Sequence, residues 1–527
     1  MRHWKSIGLI LLVTAAGLIL GSHLGNQAGK TPEPKTGEAA PARQARSIDD
    51  PAPLPPRSGE RESGPDRTRG TDAPPGALYG ERTVTFSSAE AMRRFLASLD
   101  GTGISVIGSI DALNTLRLRL DDPGALAGLL DESDEIGYIF PAEIPGQGSI
   151  QPGAVAFGET YLRWLGADGD RTAWGKGVVV AVLDTGVVSG SAFGQAVSSM
   201  NLVELPTDGS TINGHGTAVA SLIAGKDGLA PDARVLDYRI ARDDGTSDTF
   251  LIAQAVLAAT DGGADIINIS LGSSGRSVLL EQAIRYANEA GVLVVASAGN
   301  NGAPSLSYPA AYDNVIGVGA VDGLGEHLDF SNSGNPSITA PGLALTTAGA
   351  DGRSVSFSGT SASSPVVVGA IAATMTQEGL NAWNAWSLIE QTANEAGAPG
   401  YDPAYGAGIL NVGRALNHDI AGINDIAIAA NHVTLNEAGN PIVQVTVENR
   451  GTARVINAPV SVTTQMGESQ LNVTSLAPGA TQTFDLPLGS LESGARIESS
   501  VELSGGGTDQ NPANNRRVDV VAPQESP

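Results

Sequence analysis

The sequence predicts an α/β protein built on a doubly wound, mostly parallel sheet. A ferredoxin-like α+β unit precedes that sheet and an antiparallel β-sandwich follows it. Three observations carry this prediction. Residues 150–417 alternate apolar strand patterns with helical ones, residues 78–142 read β-α-β-β-α-β, and residues 419–521 switch to period-two alternation between turn signals. A chain of 527 residues has room for about three domains. Its hydrophobic content of 41% excludes a wholly disordered chain, and its single long apolar run excludes a polytopic membrane protein. The net charge of −25 disfavours binding to nucleic-acid phosphates. With no cysteine, disulfides, thiol nucleophiles and thiolate metal sites are excluded.

The elements follow in chain order. Residues 1–29 pair a basic start (Arg2, His3, Lys5) with an apolar run from Ile7 to Leu20, which predicts an export signal peptide. No small-x-small cleavage site follows Leu20, so an uncleaved signal anchor, with residues 7–20 in the membrane, is the alternative. Residues 30–77 are Pro-rich and charged, a disordered linker. In the α+β unit, strands are expected at Arg82–Phe86, Ile104–Ile110, Leu116–Leu120 and Ile136–Phe140. Ser87 with Glu90 forms a capping box for the first helix, and Pro123–Leu130 forms the second. In residues 150–417 the unbroken apolar run Val178–Leu183 suits a parallel strand buried on both faces, and Val235–Ile240, Ile266–Leu271, Val292–Ala298 and Val315–Ala320 repeat the theme. Phe250–Ala259 and Leu279–Ala290 are the intervening helices. In residues 419–521 the alternations at Val443–Val447, Val460–Val462, Phe484–Leu488 and Ile497–Leu503 predict the sandwich. The segment Asn511–Asn515 before its last strand resembles the ending of bacterial cell-adhesion-related β-sandwich modules.

Four segments of the α/β block carry chemistry. Asp184, in Asp184-Thr185-Gly186, sits at the carboxyl end of a buried strand, the edge where open α/β sheets bind ligands; a helix-capping turn is the plainer reading. His215 lies between Gly214 and Gly216 at the start of an apolar helix. Ser361, in Gly359-Thr360-Ser361, opens another helix, where backbone N–H groups favour a developing anion; Pro365 fits its first turns. Asn300, in Gly299-Asn300-Asn301-Gly302, ends a further strand and can offer its amide to an oxyanion. Each signal is modest alone, and their order on one sheet is far more specific.

Together these residues resemble the subtilisin-like serine proteases, the subtilases, over about residues 155–417. The resemblance implies a subtilisin-like catalytic domain and an exported serine endopeptidase made as a zymogen. Asp184, His215 and Ser361 would form the triad and Asn300 the oxyanion donor. Ser270-Leu271-Gly272 would be the strand that pairs with substrate backbone, opposed by Gly245-Thr246-Ser247. Residues 78–142 would be the prodomain, an intramolecular inhibitor cut off between Ala142 and Pro152. The implied partners are protein or peptide substrates. No cofactor is required for the chemistry. Val187–Thr211 departs from the family pattern, so a structural calcium ion is not located and no metal ligand is assigned. The other reading is a non-catalytic binding or adhesion protein on a protease-like scaffold.

Overall fold

The computed structural model describes residues 73–521 apart from 127, 132, 191, 204–212, 490–493 and 505–506, all within one compact unit. The signal or anchor expected over residues 1–29, the 7–20 span and most of the linker lie outside the described residues. Among the described residues, no helix is long and apolar enough to cross a membrane.

The first sheet is antiparallel, in the spatial order Ile104–Ile110, Thr115–Leu120, Glu81–Thr85, Glu135–Gly137. Val84, Leu116, Leu118 and Leu120 point into a core shared with Phe95 of the helix Ala89–Ala97. That helix is capped by Ser88, whose Oγ accepts from Ala91 N, and not by the expected Ser87. The second expected helix shrinks to a 3-10 turn, Pro123–Leu126. Gly128 takes φ +83, a left-handed conformation that ends a helix.

Seven parallel strands form the central sheet, in the order Ile338–Pro341, Ile316–Val321, Leu293–Ser297, Ile266–Ile269, Val179–Asp184, Arg234–Arg239, Val197–Asn201. One face packs on helices His215–Ala224, Thr360–Glu378 and Ala382–Gln391, the other on Thr249–Asp261 and Val278–Glu289. Every residue of Ile266–Ile269 and Leu293–Ser297 is buried, which is why these strands read as mostly apolar runs, interrupted by Asn268 and Ser297 alone. Val197–Asn201 carries no such signal because it is an exposed edge strand. Strand order reverses at Val179–Asp184: both its neighbours, Arg234–Arg239 and Ile266–Ile269, follow it in the chain, and later strands add on one side and then on the other. Open α/β sheets place their binding crevice beside the carboxyl end of such a strand.

The C-terminal region has a three-stranded sheet (Ile426–Leu435, Pro441–Asn449, Thr481–Pro487) and a four-stranded one (Gly467–Leu476, Val455–Thr464, Arg496–Val501, Arg516–Val520). Both are antiparallel, and they share one core that includes Val443, Val445, Val460, Val462 and Ile497. A buried Glu448 ties this region to the helix Val412–Leu416, accepting from Arg414 and, at 2.8 Å, from Arg450. Burial alone would raise its pKa, but the two guanidiniums hold it below the ordinary glutamate value. Removing the carboxylate leaves two nearly buried cations unpaired. Glu448→Ala is therefore expected to cost about 3–5 kcal/mol in denaturant unfolding, and a loss under about 1 kcal/mol would show that the arginines regain water.

Candidate active site

Asp184 ends its strand fully buried, and its Oδ1 accepts from Thr185 N at 2.7 Å. His215 is the first residue of the helix His215–Ala224. Its Nδ1 faces both carboxylate oxygens, 2.8 Å from Oδ1 and 3.0 Å from Oδ2. The approach of the two segments depends on Gly216, where a Cβ would sit 2.6 Å from Gly186 O. With Nδ1 engaged by Asp184, Nε2 is the ring nitrogen left for other chemistry; it is buried and has no hydrogen-bond partner. The Phe357 ring packs edge-on against the imidazole, 5.2 Å between centroids.

Ser361 is the second residue of the helix Thr360–Glu378, where a backbone N–H has no acceptor within the helix. Its Oγ donates to Ser270 O at 3.3 Å instead of to His215 Nε2. Beneath it, Asn268 Nδ2 donates to Ser270 Oγ at 3.0 Å, Ser364 Oγ donates to Asn268 Oδ1 at 2.9 Å, and the two serine hydroxyls lie 3.2 Å apart. Gly359 caps the helix at φ +123, and a Cβ there would fall 2.8 Å from Asn300 Nδ2. Asn300 Oδ1 accepts from Thr360 N at 2.9 Å and Thr360 Oγ1 at 2.8 Å, which fixes the amide so that Nδ2 faces Pro145 O at 3.5 Å.

That carbonyl belongs to an extended segment lying between the two expected substrate-binding stretches. Pro141–Glu143 pairs antiparallel with Thr246–Asp248, matching Ala142 to Ser247 and Glu143 to Thr246. Glu143 exchanges both backbone bonds with Gly272 at 2.9 Å, and Ile144 N donates to Gly245 O at 3.0 Å. Leu271 is wholly buried behind this strand, and Ser247 Oγ turns away to Ile240 O. Beyond the site carbonyl, Gly148 presses so close that a Cβ would lie 2.1 Å from Phe330 Cβ. The Pro- and Gly-rich stretch reads locally only as a break; it becomes a strand because residues about a hundred positions away supply its partners. Among the described residues, no group of three or more metal-ligating side chains is present.

Residues 175–408 match the model of the subtilase family. The chain is 36% identical over 257 residues to subtilisin BL of Lederbergia lenta, a stretch covering 46% of this chain and 91% of that protein. This chain belongs to the subtilase family, a family of serine-type endopeptidases. The subtilase is also 37% identical over 247 residues to a thermophilic serine proteinase of Bacillus sp. (strain AK1), covering 45% of this chain and 61% of that protein's length. It shares its fold with an epidermin leader peptide processing serine protease from Staphylococcus aureus, at TM-score 0.52 and 22% identity, covering 65% of this chain and 99% of the other.

One group behind the site has no sequence signal of its own. Asp237 is buried on the strand beside Asp184, with Oδ1 unpartnered. Burial raises it to about 6, against the hydrogen bonds of Val187 N and Ser199 and the pull of Arg239; Asp184 pushes the same way as burial. The folded state thus keeps a proton that the unfolded chain releases near 3.8, so this group's contribution to stability falls as pH rises between those values. Asp237→Asn removes the penalty. In a Ser361→Ala background, which avoids self-digestion, it is expected to stabilise by roughly 2–3 kcal/mol near pH 7.5 and by almost nothing near pH 4. Denaturant unfolding at the two pH values checks this, and an equal gain at both would contradict it.

Proposed function

We propose that this chain is an exported serine endopeptidase made as a zymogen, with residues 78–142 as a ferredoxin-like prodomain and residues 419–521 as a β-sandwich. The observation that carries the reading is the His215 Nδ1–Asp184 contact of 2.8 Å beside a cleft in which Asn300 Nδ2 faces a peptide carbonyl. In the reaction, Ser361 Oγ attacks the scissile carbonyl while His215 Nε2 takes its proton, since a free hydroxyl is too weak a nucleophile at neutral pH. Asp184 holds the tautomer and stabilises the imidazolium. Asn300 Nδ2 and the Ser361 N–H receive the oxyanion. His215 then protonates the leaving amine, and water cleaves the acyl-enzyme by the same steps in reverse order. Gly245, Thr246 and Ser270 to Gly272 hold substrate as an added antiparallel strand, so affinity comes from main-chain bonds with little dependence on sequence.

The occupant of that strand position in this chain is its own residues 141–145, which supports an intramolecular inhibitor. Pro145 supplies the carbonyl opposite Asn300, so the bond presented to Ser361 is Pro145–Gly146. A proline has no N–H for Ser270 O, the acceptor that instead takes the Ser361 hydroxyl. An ordinary residue in that place would compete for Ser270 O and free the serine for His215. Export rests on the basic start and the apolar run of residues 7–20. An uncleaved membrane anchor there is the alternative to a cleaved signal. A binding protein without catalysis is the reading to be excluded.

Labelling with a fluorophosphonate separates the two readings, because only an activated Ser361 reacts. On the scale known for subtilisin itself, Ser361→Ala should lower kcat by the order of 10⁶ and Asn300→Ala by about 10²–10³. Equal residual rates in the two variants would contradict the assigned roles. N-terminal sequencing of the matured enzyme should begin at Gly146; a fully active chain still continuous through Pro145–Gly146 would overturn the zymogen.

A further inference from the structure

Two residues with no part in the chemistry above join the loops that carry Asp184 and His215. Arg239 ends the strand Arg234–Arg239 directly opposite Asp184 in the sheet register and is only 1% exposed. Its Nη1 donates to Thr185 O at 2.8 Å, on the aspartate loop. Its Nη2 donates to Asp243 Oδ2 at 3.0 Å. Asp243 in turn grips the histidine loop. Its Oδ1 accepts from Asn213 N at 2.9 Å, its backbone carbonyl accepts from Asn213 Nδ2 at 3.0 Å, and Asn213 Oδ1 accepts from His215 N at 2.9 Å. Thr185 Oγ1 closes the ring, lying 3.1 Å from Asn213 O and accepting from Gly216 N at 3.1 Å.

We propose that Arg239 and Asp243 are positioning residues for the general base, one guanidinium fork fixing the aspartate and histidine loops to each other. This rests on the serine-peptidase reading above. Three points favour a positioning role over simple core packing. A buried guanidinium carries a desolvation cost of several kcal/mol that an apolar side chain of similar volume would avoid. The fork meets two acceptors on different segments at once, which the single ammonium of a lysine cannot reproduce. The loops it ties are distant in the chain, Asp184 and His215 being 31 positions apart, and they meet beside the catalytic contact. The circuit reaches His215 through its backbone N–H, so it sets where the ring stands relative to Ser361 without touching substrate. The segments that pair with the occupant strand are held by separate bonds, such as Ser247 Oγ to Ile240 O at 2.7 Å.

Steady-state kinetics of the processed enzyme, and the rate at which the full chain cuts itself, test the proposal. A displacement of about 1 Å in a reacting group costs on the order of 10² in rate. Arg239→Met should therefore lower kcat and self-cleavage by roughly 10²-fold, with KM within about twofold. Arg239→Lys keeps the charge and loses the fork, and should recover about tenfold of that loss. It also covers the case in which Arg239→Met does not fold. Adding Asp243→Ala to Arg239→Met should cost little more, because both cut one circuit. If folded Arg239→Lys, or Arg239→Met where it folds, keeps kcat within about twofold of the wild type, or if KM rises while kcat holds, the positioning role is wrong. Absence of hydrolysis by the wild-type chain would instead sink the peptidase reading.

Discussion

A carboxylate buried without solvent must find donors, and Asp184 finds them in the residue that follows it and in an imidazole from another segment. That requirement organises much of the surrounding structure. It needs Gly216, because any side chain there would strike the Gly186 carbonyl, and it needs the helix His215–Ala224 to begin at the histidine. It also selects the histidine tautomer: a proton on Nδ1 faces the aspartate, so Nε2 is the basic atom. The position of the pair at the strand-order reversal follows from the sheet. Only there do loops from neighbouring parallel strands diverge and leave a crevice.

The serine side of the cleft is fixed differently, by polar groups inside the core. Asn268, Ser270 and Ser364 satisfy one another between the strand Ile266–Ile269 and the helix Thr360–Glu378. Fully paired, such groups specify one packing of helix on sheet, whereas apolar residues would allow several. Asn300 adds a second tie through the N–H and hydroxyl of Thr360, which aims its amide nitrogen into the cleft. The Asn300 amide and the start of the helix that carries Ser361 are therefore one mechanical unit.

The N-terminal sheet is held against the catalytic region partly by charge. Arg117 reaches Asp248 at 2.9 Å and Glu81 at 2.6 Å, with all three side chains mostly buried. Asp248 also caps the helix Thr249–Asp261, accepting from Phe250 N and Leu251 N. Gly108 leaves room for the Phe250 ring beside that ion pair. One carboxylate thus serves both the helix Thr249–Asp261 and the contact with the preceding sheet, from the last residue of the strand that receives residues 141–143.

The sequence by itself determined the parallel strands buried on both faces, because continuous apolar runs have few other uses. It also marked Asp184, His215, Ser361 and Asn300, because glycines and helix starts frame each one. It did not reveal Val197–Asn201, whose exposed polar residues carry no periodic signal, nor a second helix shortened by Gly128. Pro141–Glu143 carried no strand signal, since its pairing partners are all distant segments. Arg239 and Asp237 read as ordinary strand residues, alternating with apolar neighbours. What they touch depends on which loops the sheet brings to its carboxyl edge. Local pattern encodes what a residue needs from water and from its own backbone; tertiary structure alone decides which distant group meets that need.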